Sequence, residues 1–245
     1  MKKPKQAFSL IELSLVITVI ALLTTIVIAT KKTLHNAKII SFINQIETNK
    51  LSYELFIDKF GAPPGDITNA SSLFTDAVDA GDGNGFIDYA SSSTAEPAIG
   101  AAESNAAWQH LKLSGLITGN FSGALGGSVG VTYPECKLLQ DCSLHFSSVN
   151  IHAQMAREQN YLITAQNSTT SFETISAKDA YNIDYKIDDG LPYNGWVNGV
   201  STASNCSEDL DLTWSSNLDN ASYLASSSTS CIMIFTLDLD NFSWQ

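Results

Sequence analysis

The chain has 245 residues, 44% hydrophobic and 16% charged, with 13 Lys plus Arg against 25 Asp plus Glu and a formal net charge of −12. This balance excludes nucleic-acid binding through a basic surface, which needs clustered Lys and Arg, and the ordinary apolar fraction argues against wholesale disorder. The charge is unevenly placed: residues 1–50 hold seven Lys against Glu12 and Glu47, net +5, while residues 51–245 hold six basic residues against 23 acidic ones, net −17.

Residues 1–7 are short and basic, with Lys2, Lys3 and Lys5. Phe8 to Ala29 follows as 22 residues with Glu12 as the only charge and no Gly or Pro. A helix of that length rises about 33 Å, enough for a bilayer core of roughly 30 Å. A secretory signal peptide has a shorter apolar core of roughly 7–15 residues. A plain anchor gives no reason for Glu12, because a carboxylate at membrane depth costs roughly 2.5–3.5 kcal/mol and normally serves a function.

Lys5-Gln6-Ala7-Phe8-Ser9-Leu10-Ile11-Glu12-Leu13 resembles the processing site of type IV pilins and type II secretion pseudopilins. The resemblance implies cleavage between Ala7 and Phe8, N-methylation of Phe8, and an assembly role for Glu12 at the fifth mature position. That family usually carries Gly before the cut, where this chain has Ala7. Phe8 and Glu12 are four apart and share a helix face. In a bundle of such helices the Glu12 carboxylate can meet the amino terminus of a neighbouring subunit, each charge offsetting the desolvation of the other.

From Thr33 to Phe60 there is again no Gly or Pro. Ile39, Ile43, Ile46, Lys50, Tyr53, Ile57 and Phe60 recur at steps of four and three, which predicts one apolar helical stripe with Lys50 as its exception. Gly61-Ala62-Pro63-Pro64-Gly65 is a strong stop. The expected organisation is a leader (1–7), a membrane or filament-core helix half (8–29), an amphipathic continuation (30–60) and an exported head (61–245). Phe8 to Phe60 as one helix would be about 80 Å long, matching the long first helix of the pilin family.

The head is rich in Ser, Asn, Asp and Gly. Ser104–Leu116 reads as a short helix, and 130–139, 142–151, 161–164, 195–200 and 231–239 read as strands between turns. The expected fold class is α+β: a pilin-like long amino-terminal helix with an antiparallel β-sheet head. Pro64-Gly65-Asp66, the Gly81–Asp88 loop, Glu103 with Trp108-Gln109-His110-Leu111, Ser114-Gly115-Leu116-Ile117 and Ile183 to Pro192 together resemble, in order, pilin-like proteins with enlarged heads.

The best metal candidate is the loop from Asp79 to Asp88, where hard oxygen ligands alternate with Gly. Against the EF-hand template, Asp82, Asn84 and Gly85 match the third, fifth and sixth positions and Asp88 the ninth, and Phe86 can offer its carbonyl. The acid at the first position sits one place early, at Asp79, and the twelfth position is Ser91. Calcium is therefore a candidate ligand of Asp79, Asp82, Asn84, Phe86 and Asp88, and no cofactor is required. Asp184, Asp188 and Asp189 read as a turn with a solvated acidic rim. Gly126-Gly127-Ser128-Val129-Gly130 matches G-x-S-x-G but leads into an expected strand rather than a helix. His110 reads as a packed or exposed structural residue. Trp196, Trp214, Tyr223 and Trp244 read as core or filament contacts.

Cys136, Cys142, Cys206 and Cys231 allow three disulfide pairings, of which the pairing of sequence neighbours closes the shortest loops. Disulfides require an oxidising compartment; buried free thiols are the alternative. No Walker loop, H-E-x-x-H or dinucleotide fingerprint occurs, and the chain reads as structural rather than enzymatic. The resemblance implies a prepilin peptidase/N-methyltransferase, other pilin or pseudopilin subunits, an inner-membrane assembly platform and the lipid bilayer as partners. It also implies a single-pass protein of the bacterial inner membrane, amino terminus cytoplasmic and head periplasmic, that passes into a pilus or pseudopilus. The alternative is a membrane-anchored periplasmic binding or adhesion domain that does not polymerise.

Overall fold

A computed structural model describes residues 9–79, 81–88, 103–124, 128–140, 142–148, 159–166, 174–200, 206–207, 222–224 and 229–237. Two compact units divide the chain, residues 1–40 and residues 41–245. The first helix, α1, runs Leu10–Phe60.

Within the first unit, every large apolar side chain from Leu10 to Val27 is exposed. The helix is long and apolar enough to cross a membrane, with a mean hydropathy of 2.5 over its most apolar stretch. Its hydroxyls turn back onto their own helix. Ser14 donates to the Ile11 carbonyl at 3.0 Å, Thr18 to Leu15 at 2.8 Å, Thr24 to Ala21 at 2.9 Å and Thr25 to Leu22 at 2.8 Å. These hydroxyls therefore need no partner from water, as a helix surrounded by hydrocarbon requires.

The second unit is α+β. After α1 come α2 (Ala70–Leu73), α3 (Glu103–Leu113), β1 (Cys142–Ser147), β2 (Tyr161–Gln166), β3 (Ile175–Ser176), α4 (Ala177–Ile187), β4 (Val197–Val200) and β5 (Thr229–Thr236). The five strands form one antiparallel sheet. β5 is its central strand: Ile234 and Phe235 pair with β2 on one edge and with β4 on the other. β1 lies outside β2, with Leu144 opposite Thr164 and Phe146 opposite Leu162.

The part of α1 beyond residue 40 buries Phe42, Ile46, Asn49, Tyr53 and Phe56. Phe42 meets Phe235 of β5 edge-on at 6.1 Å, and Tyr53 stacks on Phe146 of β1 at 6.1 Å. The stripe expected through Ile43, Lys50 and Ile57 is thus displaced by one residue, since those three are only half-buried. A core-facing stripe spans more than 100° of helix surface, so both sets lie within it, but Phe42, Asn49 and Phe56 occupy its centre. Lys50 sits at the rim with its ammonium 4.3 Å from the centre of the Trp196 ring. Trp108 of α3 also covers Phe146, at 4.4 Å.

The expected strand over 130–139 is a turn-rich segment with isolated bridges, Val129 with Tyr133 and Glu135 with Ser143. Pro134 has no N–H to extend a ladder. The segment instead follows the free edge of β1, where Cys136 N–H donates to the Cys142 carbonyl at 2.8 Å and Leu144 N–H to the Pro134 carbonyl at 3.0 Å. Tyr133 lies over His145 at 4.1 Å. This cover explains why β1 is buried at all six positions instead of alternating. Disulfides join Cys136 to Cys142 and Cys206 to Cys231. Their Cα separations are 5.2 and 5.0 Å.

The sequence predicts no element over residues 177–183 and a turn over 184–190; α4 covers the first stretch and runs on to Ile187. Its first turn is capped by Ser176, whose Oγ accepts the Asp179 N–H at 3.1 Å. Asp179 in the first turn and Lys186 in the last complement the helix dipole. Ala177, Ala180, Ile183 and Asp184 form its buried face.

Candidate functional site

The loop of residues 79–88 is built around two acids that lie outside it. α1 ends at Phe60, and the chain then turns through Pro63 and Pro64 to place Asp66 in the interior, 1% exposed. Asp66 accepts the Gly83 N–H through Oδ1 and the Gly85 N–H through Oδ2, each at 2.7 Å. Glu103, the first residue of α3 and fully buried, accepts the Asp82 N–H at 3.0 Å and the Asp88 N–H at 2.8 Å, one through each oxygen. The loop backbone therefore closes onto two carboxylates. Gly81 is required at this approach, since a Cβ there would collide with the backbone of Asp66 and Ile67.

The far side of the loop is held by Asn160, which accepts the Ile87 N–H at 2.7 Å and donates to the Gly85 carbonyl at 3.0 Å. Ser148 donates its N–H to the Ile87 carbonyl at 2.7 Å and its hydroxyl to Asp88 Oδ1 at 2.8 Å.

The five expected calcium ligands do not converge. Asp79 is turned away, accepting the Ser71 N–H at 2.6 Å and the Ser71 hydroxyl at 2.5 Å, and these bonds hold its carboxyl below the usual carboxylate range. Asn84 folds back on the loop, accepting the Phe86 N–H at 2.7 Å and donating to Asp82 at 3.2 Å. Asp88 is bonded to Ser148. Only Asp82 joins a set of convergent carboxylates, with Asp66 and Glu103, which offer oxygens within 4.8 Å of one another. These three are the residues able to hold a hard divalent cation here. Burial pushes the Glu103 carboxyl up to about 7, against the lowering effect of its two N–H donors, and raises Asp66 as well.

In the sequence Asp66 and Glu103 stand out only as members of the head fragments, not as ligands or loop anchors. The signal for them is a single acid after Pro-Gly and a single Glu opening a helix, neither of which announces that both face one loop.

At the other candidate site, Ala7 and Phe8 lie outside the described residues, as do Gly126 and Gly127 of the G-x-S-x-G match, Trp214 and Trp244. Glu12 is exposed and accepts the Ser9 N–H at 3.1 Å, while Ser9 Oγ accepts the Ile11 N–H at 3.4 Å. Ser9-Leu10-Ile11-Glu12 has the S-x-x-E spacing of a capping box, but only its Glu12 half forms as such; the Ser9 hydroxyl caps the Ile11 N–H rather than that of Glu12.

His110 is fully buried and structural: Gly65 N–H donates to its Nδ1 at 3.0 Å, leaving Nε2–H to donate to the Val78 carbonyl at 3.0 Å. The acidic rim expected at Asp184, Asp188 and Asp189 is divided. Asp189 is exposed and Asp188 half-buried, but Asp184 is fully buried on α4, because its helical position turns it inward beside Ile183.

Comparison with family models, curated proteins and solved structures finds no match.

Proposed function

We propose that the chain is a structural subunit of a type IV pilus or type II secretion-like filament, acting as a minor pilin or pseudopilin. The observation that carries this reading is the first half of α1. Residues Leu10 to Val27 expose a continuous apolar surface, satisfy their hydroxyls internally, and carry a single acid, Glu12, in the first turn. Such a helix is stable in a bilayer and equally stable when copies of itself replace lipid. In this reading a prepilin peptidase cuts between Ala7 and Phe8 and methylates Phe8. An inner-membrane platform then extracts the subunit. Glu12 exchanges its Ser9 cap for the amino terminus of a neighbouring subunit, which sets the axial register.

The head, with two disulfides, suits an oxidising compartment outside the cytoplasm and selects partners. The chain is not read as an enzyme: the Ser143–His145 pair is buried, and Ser143 Oγ already donates to the Ala165 carbonyl at 3.1 Å, so it is no free nucleophile.

The test is the mass and amino terminus of the chain recovered from its native membrane, with filament assembly of Glu12→Gln. A chain beginning at N-methyl-Phe8, with Glu12→Gln retained in the membrane as unassembled subunits, is expected. Gln keeps an acceptor for Ser9 N–H, so loss of assembly reports the charge and not the cap. An intact Met1 would support the non-polymerising anchored domain. Wild-type assembly of Glu12→Gln would refute the register role.

A further inference from the structure

Asp184 lies on the inner face of α4 with no accessible surface. Its Oδ2 accepts the Tyr223 hydroxyl at 2.8 Å and its Oδ1 accepts the Gly190 N–H at 3.2 Å. One carboxyl thus joins three pieces of chain: α4, the turn that follows it, and the segment 222–224. That last segment is tied in turn to the Cys206–Cys231 disulfide, since Leu224 N–H donates to the Cys206 carbonyl at 2.9 Å and Tyr223 bridges to Ser207. Tyr223 reaches Asp184 across β4 only because residue 199 is Gly; a Cβ there would collide with the Tyr223 ring.

We propose that Asp184 is a pH-sensitive latch, closed when its carboxyl is neutral and loosened when it ionises, that fastens α4 and the Gly190 turn to the Tyr223 segment.

The argument is one of charge and access. The formal charges facing Asp184 are Asp188 and Asp189, both acidic. The other titratable groups facing it and its partner are the hydroxyls of Tyr223 and Tyr193, and Tyr181 of α4, whose ring meets that of Tyr223 edge-on at 6.2 Å. β3, β4 and β5, which pack on α4, contain no titratable residue except Cys231, and Cys231 is in a disulfide. Lys178 and Lys186 of α4 itself are exposed. Among the described residues, then, ionised Asp184 has two hydrogen-bond donors and no facing cation. A buried charge so placed is relieved by admitting water, and the contacts that exclude water are those made by Tyr223 and the turn.

The neutral acid keeps the same geometry, because a carboxyl O–H and a tyrosine hydroxyl can exchange donor and acceptor roles. Burial raises the Asp184 carboxyl to about 7, against the Tyr223 and Gly190 hydrogen bonds, with Asp189 and Asp188 adding to the rise. A group whose folded pKa lies above its unfolded value contributes stability that is fully present at low pH and lost as pH rises through the folded value. The latch therefore weakens progressively as pH rises towards about 7 and is fully loosened above it. This inference does not depend on filament assembly.

The experiment is hydrogen exchange followed by mass spectrometry on the full chain in detergent, from about pH 5 to about pH 8.5, corrected for intrinsic exchange. Peptides containing Ile183, Gly190 and Tyr223 are expected to lose protection by up to about tenfold per pH unit as pH rises towards about 7, and to level off above it with a midpoint near that value, while the β1–β2 pairing does not. Asp184→Asn, which is neutral and isosteric, is expected to flatten the response in those peptides. Tyr223→Phe, which removes a donor that favours the ionised form, is expected to move the midpoint to higher pH. Identical pH responses in the wild type and Asp184→Asn would overturn the proposal, as would an even response across the sheet. If Asp184→Asn fails to fold, an unmoved midpoint in Tyr223→Phe overturns it alone.

Discussion

Oε1 of Glu103 accepts the backbone N–H of Asp82 at 3.0 Å. Its other oxygen accepts the Asp88 N–H at 2.8 Å, so one buried side chain grips both ends of the loop. Glu103→Gln keeps the shape but replaces one acceptor with an amide N–H that faces a donor. A buried donor left unsatisfied costs about 1–3 kcal/mol. The expected result is a loss of that size in thermal or urea unfolding of the full chain in detergent at about pH 8.5, above the raised Glu103 value, where both oxygens accept. Glu54→Gln, at an exposed position of α1, serves as the control and should lie within about 0.5 kcal/mol of wild type. Equal effects of the two substitutions would mean that the loop does not depend on Glu103.

Gly81→Ala tests the same loop through sterics alone. The added Cβ meets the backbone of Asp66 and Ile67, neither of which can rotate aside as a flexible side chain would. The loop must move away from Asp66 and give up the Gly83 and Gly85 hydrogen bonds at 2.7 Å. The substitution should cost at least about 2 kcal/mol, and the amides of Gly83 and Gly85 should lose exchange protection before those of β1 and β2. Retention of both protections would show that the approach of Gly81 to Asp66 is not rigid.

His145 sets an acid limit on stability. It is 5% exposed, and its Nε2 lies 2.9 Å from Ser143 Oγ, an oxygen that already donates to Ala165. Nε2 therefore carries a hydrogen, and burial favours the neutral ring. Burial holds its pKa down, at about 4. An unfolded histidine titrates near 6.5, so the unfolded chain takes up a proton first and stability falls as pH drops from about 6.5 towards about 4. The full loss across that window is about 3 kcal/mol. Since the Asp184 contribution runs in the opposite direction, the test is a difference: the stability–pH curve of His145→Gln should lack the acid-side decline that wild type shows. Parallel curves below about pH 6 would contradict it.

The elements legible in the sequence were those whose signal is local. α1 and its stop at Gly61, α3, and the strands β1, β2, β4 and β5 each carry their own periodicity or turn signal. What was not legible depended on distant chain. α4 carries no signal of its own, and Asp184, Asp188 and Asp189 read as the rim of a turn because they look solvated in one dimension, yet Asp184 sits on the buried face of α4 and finds Tyr223, 39 residues on. The acidic loop is legible as a cluster, but its organising acids are not. Asp66 reaches Gly83 across 17 residues and Glu103 reaches Asp82 across 21, and a spacing template sees neither. Even Glu12, whose cost in a membrane marks it out, also has a local role in accepting the Ser9 N–H at the helix start.

The two disulfides should contribute unequally. Cys136 and Cys142 are six residues apart and Cys206 and Cys231 are 25 apart. In the chain-entropy account, the stabilisation from restricting the unfolded state grows with the logarithm of loop length, giving about 2 kcal/mol for the short loop and about 3.5 kcal/mol for the long one. The surroundings widen the gap. The short bridge joins segments that also exchange backbone hydrogen bonds, with Cys136 N–H on the Cys142 carbonyl. The long bridge ties the Cys206–Ser207 and Tyr223–Leu224 pairing to the central strand β5. Replacing Cys206 and Cys231 by Ser should therefore destabilise the full chain more than the same change at Cys136 and Cys142, by at least about 1 kcal/mol in denaturant unfolding under non-reducing conditions. It should also lower exchange protection at Tyr223 and Leu224 selectively. A larger loss from the short bridge would show that closure of the 134–136 segment against β1, rather than loop entropy, dominates the stabilisation.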